Sequence, residues 1–200
     1  MTVDGEVTVS ETGRPPSHGP SILAAVKDGL LFQDDDELKV WDPLAGEVTA
    51  RLPGPFPAAT HGNLVAWCKQ GCPKLHVTDV ATGEDLVVSA GDSFRFEEPY
   101  EGAFSPDGTL LAVPVVTSPG THLEGHRHRV GLVDTRAGTA RLVEGSDLAD
   151  DYPAMAWSPS GEWLFFSAGA GRIMAYRPAA EEAIVLPIRA PASFIDMAVG

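Results

Sequence analysis

Ala103-Phe-Ser-Pro-Asp-Gly108-Thr-Leu-Leu-Ala-Val113 is the stretch on which the fold turns. A short apolar run enters a polar tetrapeptide and leaves as a second apolar run. In Ser105-Pro106-Asp107-Gly108 the proline presets a negative φ, the Asp side chain bonds local backbone, and the glycine accepts a positive φ. The tetrapeptide therefore predicts a tight turn between two strands. The same grammar recurs in Met155–Phe166 around Ser158-Pro159-Ser160-Gly161, in Ala58–Trp67 around Gly62, and in Leu23–Phe32 around Gly29.

Outward from each of these hairpins runs a third strand, a second polar turn and a fourth strand: Leu38–Leu52, Leu75–Val88, Val130–Val143 and Ile173–Leu186. The period-2 alternation of Leu38 with Val40, and of Leu75 with Val77, marks strands with one buried face. An acid closes the third strand as Asp42, Asp79 and Asp134, while Arg177 breaks the pattern in the fourth unit. The first glycines, at 29, 62, 108 and 161, are separated by 33, 46 and 53 residues, a repeat length that fits four-stranded propeller blades. A single blade cannot hide both of its faces, so neighbours must cover one another.

The expected fold is thus all-β, a β-propeller of four-stranded antiparallel blades at 21–53, 54–90, 91–144 and 145–190, the third swollen by a long loop at 117–129. Four complete blades lie at the lower bound of propeller size. Residues 191–200 read as the inner strand of a partial fifth blade, and Val7-Thr-Val9 in the N-terminal segment 1–20 could supply a closing strand to it. The other arrangement is a share of a larger propeller; an unfinished ring would expose a strand edge, and a homo-oligomer would cover it.

Phe104–Val113 and Ala156–Phe166 resemble the repeats of TolB-like propellers, and Lys39-Val-Trp-Asp42 followed by a turn resembles WD-repeat propellers. The resemblance covers about residues 21 to 190, without the Gly-His pair that opens a WD repeat, and the first two units lack Ser-Pro-Asp-Gly. It implies a fold more than a job, since such families include scaffolds, interaction modules and non-catalytic domains of peptidases. It also implies that loops joining second to third strands, and those joining blades, emerge on one rim. Loops held by a rigid scaffold are where binding residues usually lie.

Composition narrows the partners. The 200 residues are 44% hydrophobic, enough for a sizeable core, and 21 Gly with 17 Pro disfavour long helices. A net charge of −14 supplies no field for displacing counterions from phosphates; only His126-Arg127-His128-Arg129 is basic, so neither nucleic acid nor membrane insertion is expected. Leu110–Val116, the longest apolar run, falls far short of the ~20 residues that cross a bilayer. Residues 1–20 hold no apolar signal segment, which favours the cytoplasm. Cys68 and Cys72 leave three states open: free thiols, a disulfide closing one hairpin, or a metal site with His61 or His76. A bridged pair would point outside the cytoplasm.

Candidate site residues fall on the loop-rich rim. Phe94, Arg95, Phe96 and Tyr100 combine the aromatic and Arg types favoured at binding hot spots. His122, His126, Arg127, His128 and Arg129 form a basic tip. His122, His126 and His128 with Glu124 read as a solvated loop rather than a metal cage, and Asp34-Asp35-Asp36-Glu37 as an acidic turn without EF-hand spacing. No Gly-x-Ser-x-Gly nucleophile, Rossmann fingerprint or phosphate loop occurs, so neither catalytic residues, a metal nor a cofactor is assigned. The expectation is a non-enzymatic recognition or scaffold module binding a protein or peptide. The alternative is a lactonase-, hydrolase- or peptidase-associated propeller with a metal or small molecule at the channel mouth.

Overall fold

The computed structural model describes residues 22–27, 29–34, 36–96, 102–117, 127–148 and 154–189. They form four antiparallel sheets, each meandering from an inner to an outer strand. The first contains β1 (Ile22–Val26), β2 (Gly29–Asp34), β3 (Glu37–Asp42) and β4 (Glu47–Leu52). The second contains β5 (Phe56–His61), β6 (Leu64–Cys68), β7 (Lys74–Asp79) and β8 (Asp85–Ser89). In the third, β9 (Arg95–Phe96) and β10 (Ala103–Phe104) share one edge of β11 (Leu110–Thr117), followed by β12 (Arg127–Asp134) and β13 (Thr139–Leu142). The fourth contains β14 (Met155–Trp157), β15 (Leu164–Ala168), β16 (Arg172–Arg177) and β17 (Glu182–Arg189). Among the described residues the only helical turn is Gly169–Gly171.

The inner strands touch in succession, β1 against β5, β5 against β10 and β10 against β14, as blades do around a propeller axis. Each junction has its own core. Leu31, Leu38 and Val40 of the first sheet meet Val65 and Trp67 of the second. Leu75, Val77 and Val88 of the second meet Leu111, Val113 and Val115 of the third. Ala112, Val130 and Leu132 meet Trp157, Leu164, Phe166 and Tyr176 of the fourth. The unbroken apolar run at 110–116 is thereby explained: β11 is covered on both faces, so alternation has no polar side to show.

Backbone and side-chain bonds stitch neighbouring inner strands. Gly102 N–H donates to Ala58 O at 2.7 Å, and a Cβ at Gly102 would sit 3.1 Å from that same oxygen, a tight contact that glycine avoids. Trp157 Nε1 donates to Ala103 O at 2.8 Å across the next junction.

The recurring acid proves to be a turn device. Asp42 Oδ1 accepts from the N–H groups of Leu44 and Ala45, Asp79 Oδ1 from Ala81 and Thr82, and Asp134 Oδ1 from Arg136 and Ala137. Each acid's carbonyl then accepts from a glycine N–H four residues on, with Gly46, Gly83 and Gly138 at φ of 70°, 76° and 68°. The fourth unit has Arg177 in place of the acid and reaches the same left-handed region with Glu181, at φ 53°.

Two features depart from the expected third blade. Its sheet has five strands because eight-residue β11 outruns two-residue β10, and Arg95–Phe96 pairs with the leftover edge at Val116 and Val115. Its long loop is shorter than 117–129, since Thr117 pairs with Arg127, Val116 with His128 and Val115 with Arg129. The Val7–Val9 strand and the partial fifth blade at 191–200 lie outside the described residues.

Candidate functional site

The first turn of each of the third and fourth sheets carries a Ser-Pro pair, and these turns sit side by side: a Cβ on Gly161 would lie 3.4 Å from Pro106 Cδ. Beside them opens a groove of about 880 Å³. Its walls are the 105–109 and 158–163 turns, its floor includes Leu110, Leu132 and Arg141, and Pro178 and Ala179 of the last turn close the far side.

The turns are rigid for identifiable reasons. Ser105 Oγ donates to Asp107 Oδ1 at 2.7 Å and accepts from Leu110 N–H at 2.9 Å. Thr109 gives Asp107 both its N–H, at 3.1 Å, and its hydroxyl, at 2.9 Å. These donors, Ser105 first, hold the Asp107 carboxyl down from its ordinary 3.8 to about 2. The turn of the fourth sheet repeats the plan without the charge: Ser158 Oγ lies 3.1 Å from Ser160 Oγ and accepts from Trp163 N–H at 3.0 Å. Thr135 locks the acid turns of the third sheet together, its hydroxyl on Gly108 O at 2.7 Å and its N–H on Thr109 O at 3.0 Å.

Charge along the groove is uneven. Arg141 donates to the hydroxyl of fully buried Tyr176 at 2.6 Å, lies over its ring and pairs with Glu181 at 3.5 Å. Glu162 is paired with Arg177, which lies over Trp163. Asp107 and Asp134 accept only from neutral donors, and among the described residues no cation pairs with either.

The residues expected on the loop-rich rim fall differently. Phe94 and Phe96 are buried, 6% and 1% exposed, edge to face with each other in the core between the second and third sheets. They plug the junction, because the short β9 turns its Phe96 side chain inward, and they offer no open contact surface; Arg95 between them is exposed. Arg129 is drawn down to Asp147 at 3.1 Å, and its neighbour His128 is half-buried, so both belong to a paired strand rather than a loop tip. Arg127 is the first residue of that strand. Tyr100, His122, Glu124 and His126 lie outside the described residues.

Cys68 and Cys72 are joined in a disulfide with Cα atoms 5.1 Å apart, both buried, across the turn from β6 to β7. Their neighbouring imidazoles are engaged elsewhere. His76 bonds Asp85 at 2.8 Å and stacks on Trp67, whose Nε1 donates to Thr78, and His61 tilts against Phe104. In the acidic turn, Lys39 pairs with Asp34 and Glu37, and Arg51 with Glu37. Among the described residues no three His, Cys, Asp or Glu side chains converge as metal ligands would.

Against known proteins, no family model and no curated sequence matches the chain. Solved structures do. Hydrazine synthase of Kuenenia stuttgartiensis, a β-propeller-containing protein, aligns over 80% of this chain and 51% of its own at a TM-score of 0.53 and 17% identity. The chain therefore spans about half the length of that protein, and the likeness is one of fold. As many as 523 solved chains match, so the architecture by itself selects no activity.

Sequence reasoning used the Ser-Pro turns as fold markers and looked for binding on the opposite rim; it missed Arg141, Tyr176 and Pro178. A signal was present. Ser-Pro pairs at equivalent places in consecutive repeats, 105–106 and 158–159, must be neighbours once the repeats stack, and Arg177-Pro178 adds a third proline to the same rim.

Proposed function

We propose that the chain is a non-enzymatic recognition module, of TolB-like or WD-like propeller type, that captures a protein or peptide partner. The observation that carries this reading is the groove between the third and fourth sheets, open to solvent, lined by Leu110, Leu132 and Arg141 and framed by Pro106, Pro159 and Pro178. Such a trough matches an extended chain better than an enclosed small molecule. Its one strongly shifted group, Asp107, is displaced in the direction that makes a carboxylate a poor proton donor or acceptor near neutral pH. Fixed turns also suit recognition, because preorganised walls spare the partner the entropy of ordering them. The bridged Cys68–Cys72 pair supports a site of action in an oxidising compartment.

Selection from a random peptide display library on the immobilised chain tests the proposal. Retained peptides should bind the purified chain with one-to-one stoichiometry by calorimetry and lose affinity when the groove is filled by Ala179→Trp. No retained peptide, together with turnover of an ester or lactone substrate panel, would replace the reading with the lactonase-, hydrolase- or peptidase-associated alternative.

A further inference from the structure

Two carboxylates line one side of the groove and, among the described residues, meet no cation. Asp107 is held ionised by hydroxyl and amide donors that lend hydrogen bonds but no positive charge. Asp134 spends one oxygen on two backbone N–H groups and meets no cation among the described residues. The two acids are fixed relative to each other, because Thr135, next to Asp134, bonds the carbonyls of Gly108 and Thr109, next to Asp107. The other charged groups lining the groove are already matched, Glu162 by Arg177 and Arg141 by Glu181. Among the described residues the groove thus carries two negative charges without an ion-pair partner, beside Leu110 and Leu132, on a chain whose net charge is −14.

Resting on the recognition reading above, we infer that the groove's occupant is an extended cationic peptide segment, with Lys or Arg side chains at Asp107 and Asp134 and an apolar side chain between them over Leu132. Several independent features converge on that chemistry. An anionic segment would meet the two unmatched acids and find Arg141 already occupied by the Tyr176 hydroxyl and Glu181. A purely apolar segment would strip water from both carboxylates with nothing to replace it, which is costly. A cation at each acid reverses that cost and, because the overall field of the chain is negative, speeds encounter at low salt.

The test uses the whole chain and a fluorescein-labelled peptide of alternating lysine, leucine and serine, with a counterpart in which glutamate replaces every lysine. Fluorescence anisotropy should give saturable binding of the lysine peptide and none of its counterpart. Asp107→Asn and Asp134→Asn keep the oxygen that caps each turn and delete the charge, Asp107→Asn giving up also the second acceptor of the Thr109 hydroxyl, so circular dichroism should stay unchanged while each weakens binding about fivefold and the pair more than tenfold. Ala179→Arg, at an exposed position on the far wall, should weaken it about as much as either single change. Raising salt should shrink all these differences. The inference is overturned if the glutamate peptide binds as well, or if the double Asn variant holds the lysine peptide with unchanged affinity. Selected peptides that are neutral or acidic yet still lose affinity in Ala179→Trp would overturn the cationic assignment alone and leave the recognition reading standing.

Discussion

The two rims of the molecule are built by opposite means. On the groove's rim the connections are short and close on themselves, through Ser105, Asp107 and Thr109 in one turn, Ser158 and Ser160 in the next, and Asp134 with Gly138 beside them. On the other rim the described connections are tied by a disulfide and ion pairs: Cys68 to Cys72 within the turn after β6, Lys39 with Asp34 across one hairpin, and Arg129 of β12 with Asp147 of the connection after β13. The difference is instructive because loop length would direct attention to the second rim. Turns whose polar atoms are satisfied internally leave their outward surfaces free, and two such turns set side by side make a fixed trough. Groups on the other rim have their side chains committed to closing their own connections.

The largest expected effect attacks the junction beneath the groove. Trp157→Ala removes a buried ring and the bond from Nε1 to Ala103 O, so stability should fall by about 3–5 kcal/mol and the melting temperature by about 10 °C. Peptide binding should fall with it, because the fourth sheet supplies one wall. A variant that melted like the parent would show that the third and fourth sheets are not held through this junction. Next in size is the opposite rim. Replacing Cys68 and Cys72 together by Ala should cost about 2 kcal/mol, the value expected for a closed loop this short, and leave groove affinity unchanged. Loss of binding there would mean the rims are coupled, against the contrast drawn above.

Smaller effects come from the turns themselves. Asp79→Ala leaves the Ala81 and Thr82 N–H groups without their side-chain acceptor and should cost about 1 kcal/mol in urea unfolding. The fourth unit, which lacks the acid, invites the reverse change. Glu181 holds a left-handed backbone that glycine adopts freely, so Glu181→Gly should stabilise by about 0.5 kcal/mol after the entropy of the added glycine is counted. Destabilisation instead would assign more weight to the Arg141–Glu181 pair than an exposed ion pair ordinarily carries.

These contrasts also show what was legible in the residues alone. The sheets were, because Ser-Pro-Asp-Gly at 105–108 and the acid at 42, 79 and 134 act locally, and local turn chemistry survives any tertiary context. Phe94 and Phe96 were not, because an aromatic at a hot spot and an aromatic in a core look alike until the burial of β9 is known. Five strands in the third sheet were hidden for a related reason: Arg95–Phe96 pairs only because β11 overhangs β10, a mismatch of lengths that periodicity does not report. The groove needed the stacking of two repeats and the engagement of Arg141 with Tyr176, a pair separated by 35 residues that no single motif contains.

The finest test of the contrast sits inside the groove's own rim, between the turn that holds an acid and the turn that holds a serine in its place. Asp107 in the folded chain titrates at about 2, below its ordinary 3.8, so its hydrogen bonds favour the ionised form. The stability it contributes is therefore fully present above about pH 4 and is lost as the pH falls through about 2. Ser160 has no proton to take up, so the fourth-sheet turn should be indifferent over the same interval. Melting temperatures of the parent and Asp107→Asn, followed from pH 5 downward, should differ most at the upper end and converge toward the lower, whereas Ser160→Ala should keep a constant offset from the parent. The effect is small because the carboxylate is exposed and solvent screens much of it. A difference between parent and Asp107→Asn that stayed level across the range would mean that the hydroxyls of Ser105 and Thr109 hold the turn by shape alone, and the charge on that wall would then be free to serve the partner rather than the fold.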